Sequence, residues 1–122
     1  MPKAYVKFET PKELNDKILQ LVEAAKNNGK LRRGTNETTK AVEKGQAQLV
    51  IMAEDVDPEE ILMHMPVLCE EKKISYCYVA SKRELGRASG IDVPTAAIGI
   101  ADAGDGKDLL KDVLKKLQAM KK

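Results

Sequence analysis

The sequence predicts a layered α/β domain, a small sheet with helices on both faces. Three observations predict it. Helical and extended segments alternate along the whole chain. One of the extended segments, Gln48–Ala53, is a continuous apolar run of strand length, as a buried central strand should be. Cap and turn signals separate most of the segments, and no internal repeat, linker or low-complexity tract interrupts them.

Thr10-Pro11-Lys12-Glu13 reads as a capping box with proline at the first helical position. Leu14, Ile18, Leu21, Val22 and Ala25 follow at helical spacing, and Asn28-Gly29 stops that helix. Lys30–Arg33 is a short extended piece. A second helix starts at Thr35 or Asn36 and ends at Gly45. After the Gln48–Ala53 strand, Asp57-Pro58-Glu59-Glu60 predicts a third helix start, with aspartate capping and proline at the first position. Pro66 interrupts that helix or begins a new segment running to about Lys73. Ser75–Val79 is β-rich and short. Ser81-Lys82-Arg83-Glu84 is another capping box, opening a helix that Gly86 weakens and Gly90 ends. Ala96–Ala101 reads as the last strand and Gly104-Asp105-Gly106 as a turn. Leu109, Leu110, Val113, Leu114 and Leu117 define a C-terminal amphipathic helix with a lysine-rich far face.

The 122 residues fit one domain, 1–122, large enough to bury a core without staples. Hydrophobic residues make up 43% and charged residues 33%, which excludes a disordered chain. Aromatic residues are scarce: Phe8, Tyr5, Tyr76, Tyr78 and no tryptophan. That argues against a base-stacking platform of the kind single-strand binders use. The net charge of +2 is small, but its distribution is polarised. Lys30–Lys44 carries five cations against two acids, while Glu54–Glu60 carries five acids and no cation. Cys69 and Cys77 have no CxxC spacing and read as reduced cysteines of a cytoplasmic protein. No run reaches the roughly 20 apolar residues of a membrane span, and Met1–Phe8 does not resemble a signal peptide.

The stretch Leu31–Lys44, LRRGTNETTKAVEK, carries the sharpest functional signal. Two arginines precede a glycine turn, and a helix then opens with Asn36, Glu37 and Lys40 in its first turns. A helix N-terminus has unpaired N–H groups and about half a positive charge, so it attracts phosphate. Gly34 lets the backbone approach closely, and an amide, a carboxylate and an ammonium can read a base edge. The same residues could instead be helix-end housekeeping, with Glu37 and Lys40 as an i,i+3 pair worth roughly 0.2–0.5 kcal/mol. Arg32-Arg33 tilts the balance toward phosphate contact and so toward RNA. In the loop Ala88–Ala96, Ile91 and Val93 flank Asp92. They either fold back onto the core or pack against an unstacked base or sugar.

Other chemistry finds little support. His64 has no second histidine at ligand spacing and reads as structural. The acidic run lacks the glycine and glutamate positions of an EF-hand. Ala103–Asp108 lacks the spacing of a phosphate loop, and no GxSxG, HExxH or Cys–His arrangement is present. No metal, cofactor or catalytic residue is therefore expected. Two rivals are kept: a small metal-dependent enzyme built on Asp55, Asp57 and His64, and a protein-interaction adaptor binding through Pro58–Met65.

Gly34-Thr35-Asn36-Glu37-Thr38-Thr39-Lys40, followed in register by Ala53–Pro58, Leu68–Lys72, Ser81-Lys82 and Leu85-Gly86, resembles the kink-turn-binding family of ribosomal, small nucleolar and spliceosomal proteins, above all its archaeal large-subunit members. The resemblance runs from about Tyr5 to Leu117. It implies a three-layer α/β/α sandwich around a four-stranded mixed sheet, and an RNA-binding protein rather than an enzyme. It further implies that Glu37, Asn36 and Lys40 read sheared guanines, and that Arg33, Gly34, Thr35 and Lys82 hold the RNA backbone. Asp57 and Ile61 would line the pocket of a flipped-out bulge nucleotide, with Ile91, Asp92 and Val93 covering it. The loop reads Ile-Asp-Val where archaeal members are expected to have Leu-Glu-Val, so apolar–acid–apolar is kept. The implied partners are RNA (ribosomal RNA, box C/D and H/ACA guide RNAs, ribonuclease P RNA) and ribonucleoprotein scaffold and modification proteins, with the free protein a monomer.

Overall fold

The computed structural model describes residues 5, 6, 8, 10–56, 59–91 and 93–120. The elements run α1 (Lys12–Lys26), β1 (Lys30–Arg33), α2 (Thr35–Glu43), β2 (Leu49–Ala53), α3 (His64–Lys72), β3 (Ser75–Val79), α4 (Lys82–Ala88), β4 (Ala97–Asp102) and α5 (Lys107–Met120). Short 3-10 turns at Glu59–Ile61 and Gly104–Gly106 precede α3 and α5. The four strands form one sheet in the order β1-β4-β2-β3. β2 and β3 are parallel, and β4 runs antiparallel to both of its neighbours, β1 and β2, so the sheet is mixed. Helices α1, α4 and α5 cover one face, and α2 and α3 the other. This is the three-layer α/β/α sandwich that the alternation and the resemblance imply.

Burial follows the sequence periodicity. All five residues of β2 are buried, as the central position in the order requires. The apolar stripe of α1, Leu14, Ile18, Leu21, Val22 and Ala25, is fully inside. Opposite it on the same side of the sheet, Val113 and Leu117 anchor α5. Cys69 and Cys77 are both buried, and burial pushes the Cys77 thiol up, which leaves it unreactive.

Three local expectations are corrected. Thr10 does not cap α1: the N-cap is Pro11, in extended conformation at ψ 152°, whose carbonyl accepts from Asn15 N, and the buried Thr10 Oγ1 has no hydrogen-bond partner among the described residues. Pro11 is itself extended rather than the first helical residue, so the helix starts one position later than the capping box predicts. The third helix is also shorter than expected. Asp57 and Pro58 lie outside the described residues, and from Glu59 to Ile61 the chain makes only a 3-10 turn before α3 begins at His64. Of the two readings of Pro66, the start of a new segment is the one seen: it sits in the first turn of α3, where a backbone N–H has no helical partner, and the helix runs to Lys72. Finally, Gly86 is a packing requirement rather than a weakness. A Cβ there would stand 2.1 Å from Val93 O, so only glycine lets the 91–95 segment lie against α4.

The N-terminal segment is fastened by tyrosines. Tyr5 Oη donates to Ala53 O at 2.6 Å and accepts from Val56 N at 3.2 Å, while Tyr78 Oη donates to Tyr5 O at 2.6 Å. Burial raises the Tyr5 pKa, which keeps the hydroxyl neutral and able to do both. Tyr5→Phe would leave a buried carbonyl and a buried N–H without this partner, and is expected to cost about 1–3 kcal/mol. Urea unfolding followed by circular dichroism checks it, and an unchanged midpoint would show that water replaces the hydroxyl.

Candidate nucleic-acid interface

The sheet register brings the scattered candidates to one place. Arg33 at the end of β1 pairs with Ile98 near the start of β4, Met52 with Ala97, and Ala53 with Val79 at the ends of β2 and β3. The ends of β1, β2 and β3 and the start of β4 therefore share one end of the sheet. The connections that cross it carry Gly34–Lys40, the 54–61 segment, Ser81-Lys82 and the 91–96 segment. Every described candidate residue belongs to one of these four stretches or to the last residue of β1.

Hydrogen bonds tie the connections together. Gly34 N donates to Ala97 O at 2.9 Å, Ala53 N to Ala96 O at 3.0 Å, and Glu54 N to Val79 O at 2.8 Å. Lys82 N donates to Asp55 Oδ1 at 2.8 Å, and Thr95 N to Lys82 O at 3.1 Å. Asp55 thus helps cap α4 from a different loop, beside the local cap in which Ser81 Oγ accepts from Glu84 N. Sequence reasoning offers Asp55 as a candidate metal ligand and does not foresee this capping role. Among the described residues no group of three His, Cys, Asp or Glu could hold a metal.

The turn from β1 into α2 is built for display. Gly34 is the N-cap of α2 at φ 92° and ψ 158°, backbone that is essentially restricted to glycine. The buried Thr38 Oγ1 donates to Gly34 O at 2.7 Å and lies 3.2 Å from Arg32 O, locking helix to strand. With the turn so fixed, Asn36, Glu37 and Lys40 stand exposed on α2, and Thr35 is half-buried. Among the described residues Glu37 and Lys40 form no ion pair with each other, so both head groups remain available.

The two arginines part company, as neighbours on a strand must. Arg33 Nε and Nη2 both donate to Ser89 O, at 2.9 and 2.6 Å, tying β1 to the end of α4. Part of its fork is therefore spent on the fold. Arg32 points to the α2 side, where with Glu37, Lys40, Lys44 and Gln46 it lines a cleft of about 110 Å³. Its Nε is buried without a partner among the described residues. With Lys40 and Lys44 beside Arg32, against the single carboxylate of Glu37, the cleft is net cationic and favours an anion.

On the apolar side, Ile61 is 41% exposed and Val93 62%, whereas Ile91 is half-buried and Lys82 partly so. The loop does not fold back fully onto the core. Asp57 and Asp92 lie outside the described residues. His64, exposed, shares a hydrogen bond with Thr39 at 3.0 Å, linking α3 to α2. No helix among the described residues is long and apolar enough to cross a membrane.

Fold and site together define a class: an α/β/α sandwich whose exposed cations, amide, carboxylate and apolar side chains collect at one end of a mixed sheet. Residues 16–110 match the profile of the ribosomal protein L7Ae/L30e/S12e/Gadd45 family, and the chain belongs to that family. A solved structure described as the Giardia lamblia 15.5kD RNA binding protein is 34% identical, with a TM-score of 0.88 over 95% of this chain and 97% of that one.

Proposed function

We propose that this protein is a non-enzymatic RNA-binding protein that recognises and stabilises kink-turn and kink-loop RNA. The observation that carries the reading is the Gly34 turn, which holds Asn36, Glu37 and Lys40 exposed at the start of α2 beside the cationic cleft. Family membership and the match to an RNA-binding protein support it.

An A-form major groove is too deep and narrow for side chains. A kink beside tandem sheared G·A pairs opens it to a helix end. A sheared guanine leaves donors at N1 and N2 and an acceptor at O6. Glu37 accepts from the donors, and Asn36 and Lys40 address the sheared guanines. Gly34 and Thr35 backbone groups, with Arg32, the remaining donors of Arg33 and Lys82, hold phosphates. Asp57 and Ile61 line the pocket of the bulged nucleotide, and Ile91, Asp92 and Val93 cover it. The protein selects the bent RNA from an ensemble and shifts that equilibrium only by its differential affinity.

The finer reading follows the archaeal branch of the family. It places a cytoplasmic protein, one domain and monomeric when free, in the large ribosomal subunit, in box C/D and H/ACA guide particles and in ribonuclease P. Scaffold and modification proteins would assemble on its RNA complex. One feature favours direct protein contact as well: Met63 and Val67 stand exposed at α3, beside a groove of about 390 Å³ against α2.

The test is a titration into a kink-turn RNA beside the same RNA with its sheared pairs made Watson–Crick. Tight binding to the first alone is expected. Glu37→Ala should cost about 1–3 kcal/mol on the kink-turn, the range of one good base contact. Equal, salt-dependent binding to both RNAs would reduce the site to a basic surface.

A further inference from the structure

Arg83 and Arg87 have no role in the reading above. Four apart on α4, they project on the same side, and with Ile91, Val93 and Pro94 they line a cavity of about 360 Å³. The next residue, Glu84, belongs to a separate cleft with Lys12, Asn15 and Asp16. Among the described residues neither guanidinium donates a hydrogen bond or meets a carboxylate. The opposite wall is apolar and, at Val93, 62% exposed. The wall is tied to α4 at its two ends, where Ile91 N donates to Gly86 O and Thr95 N to Lys82 O, both at 3.1 Å.

Two unpaired planar cations facing an exposed apolar wall match the two halves of a nucleotide. Phosphate suits the guanidinium forks, and the face of an unstacked base suits the isoleucine–valine–proline wall. The cavity is large enough for one nucleotide and too small for a duplex. Its position selects which one: the wall is the other side of the loop that, on the proposed reading, covers the flipped bulge nucleotide. We infer that the cleft which Arg83 and Arg87 of α4 form with Ile91, Val93 and Pro94 is a second nucleotide subsite, which takes the unpaired residue adjoining the flipped one, with Arg83 and Arg87 on its phosphate. The inference rests on the kink-turn reading and deepens it, by extending recognition from the sheared pairs along the bulge strand.

The experiment compares a kink-turn RNA with a minimal bulge and the same RNA with two uridines added to the bulge. Wild type and the Arg83→Gln/Arg87→Gln variant are titrated with each across a salt series. Wild type is expected to bind the lengthened RNA about fivefold tighter or more, as one further base contact would give. The double variant should keep wild-type affinity for the minimal RNA and lose that gain. Its log–log salt slope on the lengthened RNA should be shallower by about 0.7 for each lost single-strand phosphate contact. A gain that survives in the double variant, or is absent in wild type that binds the minimal RNA tightly, overturns the subsite and leaves the kink-turn reading standing. Failure of wild type to bind either RNA overturns both. Uridine monophosphate titrated into the free protein separates strand from free nucleotide. Saturable binding that the double variant loses, with no gain from the longer bulge, reassigns the cleft to free nucleotides and overturns the strand assignment.

Discussion

Gly34→Val is expected to produce a folded protein of lower stability with a disproportionate loss of RNA affinity. Space is not the obstacle, because a Cβ at this position would meet nothing within 4 Å. The obstacle is the backbone. At φ 92° and ψ 158° an L-residue is strained, a branched one most of all, by about 1–3 kcal/mol. The chain can relieve that strain by turning the peptide. Doing so would break Gly34 N to Ala97 O and disturb Gly34 O, which accepts from both Thr38 N and Thr38 Oγ1. Those bonds aim the start of α2, so relief of strain and loss of aim are the same event. Thermal unfolding reads the first and titration with kink-turn RNA the second. A wild-type melting point would sink the strain argument. Lowered stability with undiminished RNA affinity would detach this turn from recognition.

The layered fold is legible because each helix carries its own signals locally. The apolar stripe of α1, the unbroken run of β2 and the Ser81 cap of α4 need no knowledge of the rest of the chain. The end of the sheet that gathers the site is not legible in that way. It depends on β4 inserting between β1 and β2, a pairing across more than 60 residues that no local pattern encodes. The same limit explains the functional residues missed or misread. Asp55 sits in an acidic run and looks like a metal ligand or a neighbouring cap, yet its partner is Lys82 N, 27 residues away. Arg33 and Arg32 look equivalent until strand alternation sends one to Ser89 and the other to the cleft beside Lys40. Thr38 lies inside the most informative stretch of the sequence, but its role appears only when its hydroxyl is seen buried against the two carbonyls. Residue type and spacing identify the chemistry available, and topology decides which groups remain free to use it.

Gly86→Ala sets two opposing effects against each other, and their sizes decide the outcome. In a helix interior, alanine is favoured over glycine by about 0.8–1.0 kcal/mol, so an unobstructed site would gain stability. Here the added methyl would stand 2.1 Å from Val93 O, 3.1 Å from Val93 C and 3.3 Å from Pro94 Cα. All three are backbone atoms and cannot rotate aside. Overpacking of this kind costs about 1–3 kcal/mol and sometimes more, so net destabilisation is expected. The adjustment must fall on α4 or on the 91–95 segment. The segment is the weaker party, held to α4 through Ile91 N and Thr95 N, with Val93 largely in solvent. It should lift away, carrying with it both the proposed cover over a bulged nucleotide and the wall of the second cleft. A lowered melting temperature, faster amide exchange at Ile91 and Thr95, and weakened binding of lengthened-bulge RNA would appear together. A raised melting temperature would mean that the loop yields without cost and helix propensity wins, so that Gly86 holds nothing in place.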